Sequence, residues 1–575
     1  MPTSWTNADS LIAISLGAAY TRVALFDVAD GQYHLIATGA VANPAQAPLQ
    51  GIANRVLQAL EQIQSVTQRV LIDEHSRVIQ PSRADGSGID QVVITTSLAP
   101  QLRLVVLGLL EGTSLESARR LAAAAYANVV ENIGLNDPRR PEAQIDAILQ
   151  AEPDVILLSG GNDQGASRPV VKLAELITLV CRVLPQEKRP DVLYAGNATL
   201  AEKLGEILSK WTRVHVAPNL RPAPGEEHLG PALEVLNRAA WEIRCRQLEE
   251  LRSLSALSTT PPLSAPWAMS RLVGLMSQGS DSRAAALGVD LGAGAASLAA
   301  AQEGELALEV YPCGLGYTLH RLAKEDQLEA LLPWLPLPLT EDVLRDYLCQ
   351  KSLYPASLPL SAEALAIEQA AARLILQQAL ATARSHWPHF PTWFGPVLAS
   401  GGVLSQAPTP GQALLMLLDG LQPFGILEPL LDVNNLAAAL GAAAGRNTIL
   451  PIQVLDTQAF LRLGTVLCPN STAKAGTSIL KVRLETTTGA TILREIRQGS
   501  LVQLPLQAGQ EAQLHLELLQ HTELNPAKRS VEQSYRIVGG ACGAVIDARI
   551  RPLKLPTEEE ARYELLRKWR QALGG

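Results

Sequence analysis

Apolar residues near the N-terminus form two runs joined by a turn of small residues. The stretch IAISLGAAYTRVALFDV, residues 12–28, predicts a buried strand, a Gly/Ala turn and a second strand that ends at Asp27. About 275 residues later, GVDLGAGAASLAAAQ repeats the strand, the glycine turn and the strand. The pattern therefore predicts two related hairpins, one in each half of the chain.

Between the two hairpins, short apolar runs alternate with helical patterns. The segments PDVILLSGGNDQG, PDVLYAGNATLAEKL and RVHVAPNLRP each begin with a strand, and residues with helical spacing separate them. This alternation predicts parallel strands with crossover helices. Because ligands collect beyond the carboxyl ends of such strands, Asn162 and Asp163 are candidate binding residues.

After Leu450 the pattern changes to alternating apolar and polar residues between glycine turns, which is typical of antiparallel strands. The chain closes on an amphipathic helix, for which Thr557 and Glu560 have the spacing of a capping box. Its apolar stripe favours docking onto the chain's own β domain.

The predicted division is a first lobe at 1–112, a parallel βαβ subdomain with a long helix at 113–254, a linker at 255–283, a second lobe at 284–447, a β domain at 448–555 and a terminal helix at 556–575.

Composition narrows the classes of partner. The chain has 575 residues, and ordinary domain sizes predict roughly three to five lobes. The net charge of −8 argues against nucleic acid and anionic membranes, because both bind basic surfaces. No apolar run reaches the roughly 18 residues that a membrane helix needs. Six scattered cysteines without a C-x-x-C pair are typical of free thiols in a reducing compartment, so we expect a cytoplasmic protein.

The two hairpins and a late Ser-Gly-Gly turn resemble the superfamily of actin, sugar kinases and large heat-shock chaperones. Five motifs in order carry a closer resemblance: PDVILLSGGNDQG, VLYAGNATLAEKL, GVDLGAGAASL, ASGGVLSQAPTPGQALLMLLDGLQPFG and LDVNNLAAALGAAAG. Together they are similar to the glutamate mutase L family over roughly residues 10–445. The resemblance implies an α/β fold with two actin/sugar-kinase-like (ribonuclease-H-like) lobes, an inserted parallel βαβ unit and a C-terminal, mostly antiparallel β domain with a terminal helix.

The same resemblance implies a site for ATP or ADP with magnesium. Glycine lets backbone N–H groups approach phosphate oxygens, and successive N–H groups form an anion-binding nest. Asp290 would take the catalytic and the metal-binding role. The expected nucleotide-binding positions are Ser15, Gly17, Ala18 and Thr21 in the first hairpin, Gly292, Gly294 and Ser297 in the second, Ser400, Gly401 and Gly402 in the adenosine turn, and Asn162 and Asp163 after the parallel strand.

Both hairpins depart from the family pattern. Where the family has Asp-x-Gly-Ser-Thr, the first hairpin has Ser15 followed by LGAA. In the second, Asp290 is kept, but Ser297 stands at the second acidic position and alanines replace the threonines. Loss of an activating carboxylate typically costs about 10²–10⁴ in rate. We therefore expect a nucleotide-binding, or formerly nucleotide-binding, factor with weak or absent ATP hydrolysis.

Three hypotheses about function follow from the sequence. The first is a chaperone or repair factor of the glutamate mutase L type, for which the resemblance implies an adenosylcobalamin-dependent mutase as protein client. The second is a non-catalytic scaffold of the same fold that acts through protein contacts. The third is an actin-like assembly protein. A sugar or acyl kinase is the least supported, because Ser297 stands where such enzymes need a general base.

Overall fold

Each hairpin begins a sheet in which a third strand continues the meander and a later strand lies parallel beside the first. The computed structural model describes residues 9–45, 50–98, 100–279, 283–487, 489–525 and 530–574. In the first lobe, α1 packs across β2 and β3, and β4 lies beside β1. The elements of this lobe are β1 (Leu11–Leu16), β2 (Tyr20–Ala29), β3 (Gln32–Ala42), α1 (Ile52–Thr67) and β4 (Gln91–Thr96).

A parallel sheet follows the first lobe, as the alternating pattern predicts. Its strand order is β6-β5-β7-β8-β9, and all neighbours are parallel. Two of these strands, β5 and β6, precede the three motifs that mark the unit in the sequence. The elements are β5 (Leu102–Leu107), α2 (Glu116–Ala124), β6 (Ala127–Ile133), α3 (Pro141–Ala151), β7 (Val155–Leu158), α4 (Arg168–Val183), β8 (Asp191–Tyr194), α5 (Ala201–Leu208) and β9 (Val214–Val216).

The connection between the lobes is more ordered than its Ser/Thr/Pro content indicates. It comprises α6 (Leu229–Gln247), α7 (Glu250–Leu257), β10 (Leu263–Ser264) and α8 (Ala265–Gln278). The single long helix expected here is two helices, because Leu248 is extended and turns α7 onto the first lobe. Within the predicted linker at 255–283, β10 pairs with β4 and α8 is buried between the lobes. Only residues 255–266 have linker composition, whereas α8 has helical apolar spacing.

The second lobe repeats the strand arrangement of the first. Its strands follow the order β13-β12-β11-β14-β15. The parallel pair β11 and β14 corresponds to β1 and β4. The elements are β11 (Ala285–Leu291), β12 (Ala296–Gln302), β13 (Glu305–Tyr311), α9 (Glu325–Leu331), α10 (Glu341–Leu353), α11 (Ala362–His386), β14 (Phe394–Ser400), α12 (Gly402–Ser405), α13 (Pro410–Leu421), β15 (Gly425–Leu431), α14 (Ala437–Ala443) and α15 (Ile449–Leu455).

Helices α8 and α14 cross at the junction of the lobes. At the crossing, a Cβ added to Gly441 would lie 1.7 Å from the carbonyl oxygen of Ala268, so the two backbones are in direct contact. Buried side chains of α8 and α14 share one core with β1, β2 and β12. The bilobal α/β fold implied by the sequence is confirmed by this repeated topology.

The C-terminal strands fall into two groups. Strands β17, β23 and β20 continue the sheet of the second lobe beyond β15, and β18, β19, β21 and β22 form a separate antiparallel sheet that packs against them. The segment predicted as a β domain is thus continuous with the second lobe. The elements are β16 (Leu461–Arg462), β17 (Val466–Cys468), β18 (Ser478–Thr486), β19 (Thr491–Arg497), β20 (Leu501–Leu504), β21 (Glu511–Leu518), β22 (Glu532–Val538), β23 (Ala544–Asp547) and α16 (Glu559–Ala572).

The terminal helix α16 docks on the second lobe as well as on β20. Trp569 and Leu573 belong to the core of that lobe, and a Cβ added to Gly411 of α13 would lie 1.9 Å from the carbonyl oxygen of Leu573. The predicted capping box is wrong. The N-cap residue is Glu558 and no side chain caps the helix, so Thr557 and Glu560 do not form the reciprocal pair.

A buried ion network joins the C-terminal segment to the second lobe. Arg549 is 1% exposed and lies 2.7 Å from Asp419 of α13 and 2.8 Å from Asp547 of β23. Arg373 of α11 contacts the other oxygen of Asp419 at 2.7 Å. The Arg549 guanidinium stacks on Trp569 at 4.5 Å from the ring centre. The network therefore connects α11, α13, β23 and α16.

The six cysteines are free thiols. Across the described ranges, no helix combines the length and apolar character needed to cross a bilayer.

Candidate functional site

A cavity of about 610 Å³ lies between the turns of the two hairpins. The turns almost touch, because a Cβ added to Gly294 would lie 3.9 Å from the Cβ of Ala18. The Ser-Gly-Gly turn after β14 forms a further wall. The structure thus brings three sequence-predicted turns to one cleft. The predicted residues that line it are Ser15, Gly17, Ala18, Asp290, Gly292, Ser400, Gly401 and Gly402.

Asn43, at the end of β3, holds the first turn in place. Its amide Nδ2 donates to the carbonyl oxygens of Gly17 at 2.8 Å and Ala18 at 3.0 Å, and its backbone N–H donates to that of Ala19 at 2.8 Å. The carbonyl groups of the turn are therefore occupied on the side away from the cavity. The N–H groups of Ala18 and Ala19 have no acceptor among the described residues. They remain available to a ligand.

The second turn is held in a corresponding way by Thr318, which follows β13. Its Oγ1 donates to the carbonyl oxygen of Gly294 at 3.0 Å and accepts from the N–H of Gly314 at 2.8 Å. Within the described part of the chain, the N–H groups of Ala293 and Gly294 have no acceptor either. Two turns with adjacent unpartnered N–H groups form the kind of backbone nest that binds anions.

Glycine is required at the turns by close approach. A Cβ at Gly17 would lie 2.8 Å from the carbonyl oxygen of Tyr20, so the first turn closes only without a side chain there. Gly401 has a φ of 107°, and a Cβ there would lie 2.4 Å from the carbonyl oxygen of Leu291. The backbone of the cleft therefore keeps its close approaches, although several side chains differ from the family pattern.

Other predicted site residues lie outside the walls of the cavity. Thr21 is buried and donates to Asn43 Oδ1 at 3.0 Å, so it supports the first turn from behind. Ser297 lies directly opposite Asp290 on β12 and is buried. Gly294 is in the second turn, facing Tyr126. These three positions belong to the hairpins, and a ligand contact at each stays a prediction.

Asn162 and Asp163 lie at the carboxyl edge of the parallel sheet and do not line the cavity. Asp163 Oδ1 accepts from the N–H of Ala198 and from Asn219 Nδ2, both at 2.9 Å. Asn162 Nδ2 donates to the carbonyl oxygen of Arg221 at 2.9 Å. These bonds join neighbouring loops of the inserted unit. The structure does not bring these two residues to the hairpins, and their ligand-binding role stays a prediction.

A second buried carboxylate, Asp432, lies behind the cleft. It accepts from the N–H groups of Leu436 and Ala437 at 2.8 Å and from Ser400 Oγ at 3.0 Å. Burial nevertheless raises the pKa of Asp432. Sequence reasoning missed this residue, although an Asp between an apolar strand and the AAALGAAAG helix is a recognisable signal for a capping carboxylate.

Asp290 projects from the end of β11 into the cleft, where it is partly exposed to the cavity. Burial, followed by the negative charge of Asp432, raises the pKa of Asp290 to about 6, and the positive charge of Arg22 opposes the shift. Ionising a carboxyl group in such a setting costs free energy. Groups with pKa values shifted in this way are common at functional sites.

Arg22 is a wall residue of the cleft that sequence reasoning also missed. It lies directly opposite Ser15 in the antiparallel register of β1 and β2. Side chains of directly opposite residues share one face of the sheet, so the guanidinium occupies the neighbourhood where the family has its first carboxylate. Ser15 Oγ is 3.0 Å from Thr95 Oγ1. The signal was present in the sequence, since the hairpin pattern fixes this register.

The donor set of the cleft does not fit the magnesium ion that the resemblance implies. Mg²⁺ prefers carboxylate and water oxygens in octahedral geometry. Here one hairpin supplies a guanidinium and the other supplies Asp290, while Asp432 already accepts three hydrogen bonds. The remaining acidic side chain of the wall, Glu368, is paired with Lys351 at 2.8 Å and accepts from the Tyr347 hydroxyl at 2.7 Å. No three His, Cys, Asp or Glu side chains converge anywhere in the ranges that the structure describes. The metal-binding role of Asp290 is thus not supported by its neighbours.

Asp290→Asn should stabilise the protein above pH 7. In the wild-type chain the pKa of Asp290 is about 6 when folded and about 4 when unfolded. The stability that Asp290 contributes is therefore present below about pH 4 and is lost as pH rises through the folded pKa of about 6. Asparagine does not ionise, so the variant avoids this loss, which is about 1–3 kcal/mol at pH 7.5. Urea unfolding at pH 4 and pH 7.5 measures the difference.

The control for this measurement is Asp30→Asn, at the exposed end of β2 in the first hairpin. It should change the free energy of unfolding by less than about 0.5 kcal/mol at both pH values. A stabilisation by Asp290→Asn that is equal at pH 4 and pH 7.5 would show that the effect does not come from ionisation.

Comparisons with known proteins give a family model and several solved structures that each cover most of the chain. A family model described as MutL protein matches residues 11–459. No protein of the curated set matches. Among solved structures, nucleotide-free diol dehydratase-reactivating factor is 12% identical, with 76% of this chain and 99% of that chain covered and a TM-score of 0.30. A glycerol dehydratase reactivase is 14% identical, with 72% and 95% covered and a TM-score of 0.27.

An exopolyphosphatase from Cytophaga hutchinsonii is 9% identical, with 69% of this chain and 67% of that chain covered and a TM-score of 0.19. All three TM-scores are below 0.5, so these alignments say nothing about ligand or activity. The family match, in contrast, spans both lobes and the inserted unit and ends shortly before β16.

Proposed function

This chain belongs to the glutamate mutase L (MutL) family, and we propose that it is a nucleotide-binding, chaperone-like factor with weak or absent ATP hydrolysis. One observation carries the proposal. Two glycine turns from two pseudo-symmetric lobes face a single cavity, and each presents adjacent backbone N–H groups without an acceptor in the described part of the protein. Such N–H groups are matched to phosphate oxygens.

Weak hydrolysis follows from the side chains around those turns. Ser15 is hydrogen-bonded to Thr95 and has no ionisable group. Ser297 is buried behind Asp290. Asp290 is therefore the single acidic side chain of the two hairpins that lines the cavity. Fast phosphoryl transfer normally uses a water-positioning side chain together with metal-holding side chains, and the hairpins supply Asp290 alone for these roles.

The family resemblance supplies the proposed client, an adenosylcobalamin-dependent mutase. A factor that couples nucleotide to a client must bind the two with reciprocal effects on affinity. The nucleotide affinity of the chain should consequently change when a purified mutase of that class is present. A non-catalytic scaffold, the second candidate, predicts an empty cleft under all conditions.

ATP and ADP should bind the wild-type chain with affinities between the micromolar and millimolar ranges, and Ala19→Asp should weaken binding at least tenfold. A carboxylate at Ala19 would stand among the free N–H groups of the first turn and repel phosphate, and tenfold corresponds to about 1.4 kcal/mol. Titration calorimetry at protein concentrations of about 100 μM detects sites of this strength. Phosphate release in the same samples measures hydrolysis.

Ala29→Asp is the control, because it makes the same change at the exposed far end of β2. It should leave nucleotide affinity unchanged. The absence of binding by the wild-type chain would refute the nucleotide part of the proposal and favour the scaffold. Hydrolysis at several turnovers per second would refute the weak-ATPase part alone, since that rate is ordinary for an enzyme.

A further inference from the structure

The cleft contains a fixed positive charge where the family pattern places a carboxylate. We propose that this cleft binds the phosphate groups of its nucleotide without a divalent metal ion, with the Arg22 guanidinium as the resident cation. The inference rests on the proposed function in that it takes a polyphosphate as the ligand. It adds that the ligand binds as an anion without a metal ion and that Arg22 provides the compensating positive charge.

Arg22 has the features of an anion-binding side chain. It lines the cavity and, in the part of the chain that the structure describes, makes no hydrogen bond or ion pair. Its charge interacts with Asp290 and Asp432 only at longer range. A guanidinium keeps its charge at all accessible pH values and carries five N–H donors in a planar fork. In the cleft those donors have no protein acceptor among the described residues and are open to an anionic ligand.

Neighbouring groups hold the guanidinium in position. The ring of Tyr20 lies 4.8 Å from its central carbon, within the range of a cation–π contact. Tyr20 is itself fixed across the cleft, since its hydroxyl donates to the carbonyl oxygen of Ala356 in the second lobe at 2.9 Å. Arg22 is therefore preorganised at the cleft rather than free to fold back on the surface.

Each hairpin has one charged residue directly opposite a serine, and the two charges have opposite signs. The charged residue lies on the second strand of the first hairpin and on the first strand of the second hairpin. In the first, Ser15 and Arg22 face each other, and in the second, Asp290 and Ser297 do. A divalent cation in the first hairpin would meet a guanidinium and a hydroxyl in place of a carboxylate, which is a repulsive setting. Phosphate oxygens, in contrast, would meet the guanidinium and the free N–H groups of Ala18 and Ala19. The site is suited to an anion without its metal.

The test compares ATP and inorganic triphosphate, each in excess Mg²⁺ and in EDTA, by titration calorimetry on the full chain. For the wild-type chain we expect affinities in EDTA within threefold of those in Mg²⁺. Arg22→Met should weaken binding of both ligands in EDTA by roughly tenfold to a hundredfold, the range for hydrogen bonds to charged groups. Arg77→Met, on the exposed surface of the first lobe, is the control and should have no effect.

A second variant separates the proposal from a magnesium site. Ser15→Asp places a carboxylate opposite Arg22 and restores the acidic residue of the family pattern. Under the proposal it pairs with the guanidinium and lowers affinity in EDTA at least tenfold, and this result stands even if Arg22→Met does not fold.

Three outcomes overturn the inference. They are wild-type affinity at least tenfold higher in Mg²⁺ than in EDTA, unchanged binding in Arg22→Met, or unchanged EDTA affinity in Ser15→Asp. Binding of triphosphate but not ATP in EDTA would uphold the inference while refuting the nucleotide ligand of the proposed function. Binding of ATP only with Mg²⁺ would refute the inference while upholding the nucleotide ligand of the proposed function. Absence of binding by either ligand would refute both.

Discussion

Arg549→Met is expected to lower the free energy of unfolding by about 3–5 kcal/mol or more, which is a large part of the 5–15 kcal/mol of a typical protein. Arg549 is the shared partner of Asp419 and Asp547, both of which are fully buried. Methionine has a similar length and removes the charge, so each buried carboxylate loses one of its cationic partners: Asp419 is left with Arg373, and Asp547 with Arg551. Urea unfolding of both proteins measures the loss.

The pH dependence of this variant identifies the cause. Burial works to raise the pKa of Asp547, but the charges of Arg549 and Arg551 hold it below the ordinary value. In the wild-type chain this contribution is lost only as pH falls through that low pKa. Without Arg549, burial raises the pKa of Asp547, so the stability of the variant should fall as pH rises from the ordinary carboxyl value of about 4 through the raised pKa.

The control for Arg549→Met is Arg536→Met, which breaks an exposed ion pair with Glu511 on the four-stranded sheet. Exposed pairs contribute about 0–1 kcal/mol, so a small change is expected. Equal losses from the two substitutions would contradict the assignment of stability to the buried network. A pH-independent loss in Arg549→Met would point to altered packing against Trp569 instead.

Gly441→Ala should prevent the two lobes from closing on each other. The added methyl group would lie 1.7 Å from the carbonyl oxygen of Ala268, a backbone atom in the first turn of α8, so the helices must separate. Overpacking of this kind costs about 1–3 kcal/mol and can cost more when backbone must move. We expect a lower melting temperature and weaker nucleotide binding, because α8 and α14 both contribute to the cavity wall.

Gly274→Ala provides the opposite control within the same helix pair. Gly274 lies in α8, and a Cβ there meets no atom within 4 Å. Alanine favours the helix by about 0.5–1 kcal/mol relative to glycine, so this variant should be slightly more stable. If Gly441→Ala were also neutral or stabilising, the close crossing of α8 and α14 would not be a feature of the protein in solution.

The parts of the fold that could be predicted are those with a local signal. Hairpins with a glycine turn and parallel strands separated by helices are encoded within 20–40 consecutive residues, and these predictions are confirmed by β1–β2, β11–β12 and β7–β9. The register of a hairpin is equally local. It places Arg22 opposite Ser15, so this pairing is predictable from the sequence of the first hairpin.

Long-range pairing explains most of what the sequence did not reveal. Strands β17 and β23 have three and four residues, and nothing in such short apolar runs tells which sheet they join. Asp432 reaches the cleft through an approach of two distant segments, β14 and the start of α14. The ion network depends on residues 130 positions apart, Asp419 and Arg549, and charged residues in a sequence are expected at the surface.

The continuous sheet of the second lobe has a mechanical consequence. It runs from β13 through β15 to β17, β23 and β20, and the separate four-stranded sheet is packed on its far end. A rotation of the second lobe relative to the first would therefore carry this outer sheet with it. Because the outer sheet lies far along the same rigid sheet, a small rotation at the cavity would become a larger displacement there, beyond the family-matched region.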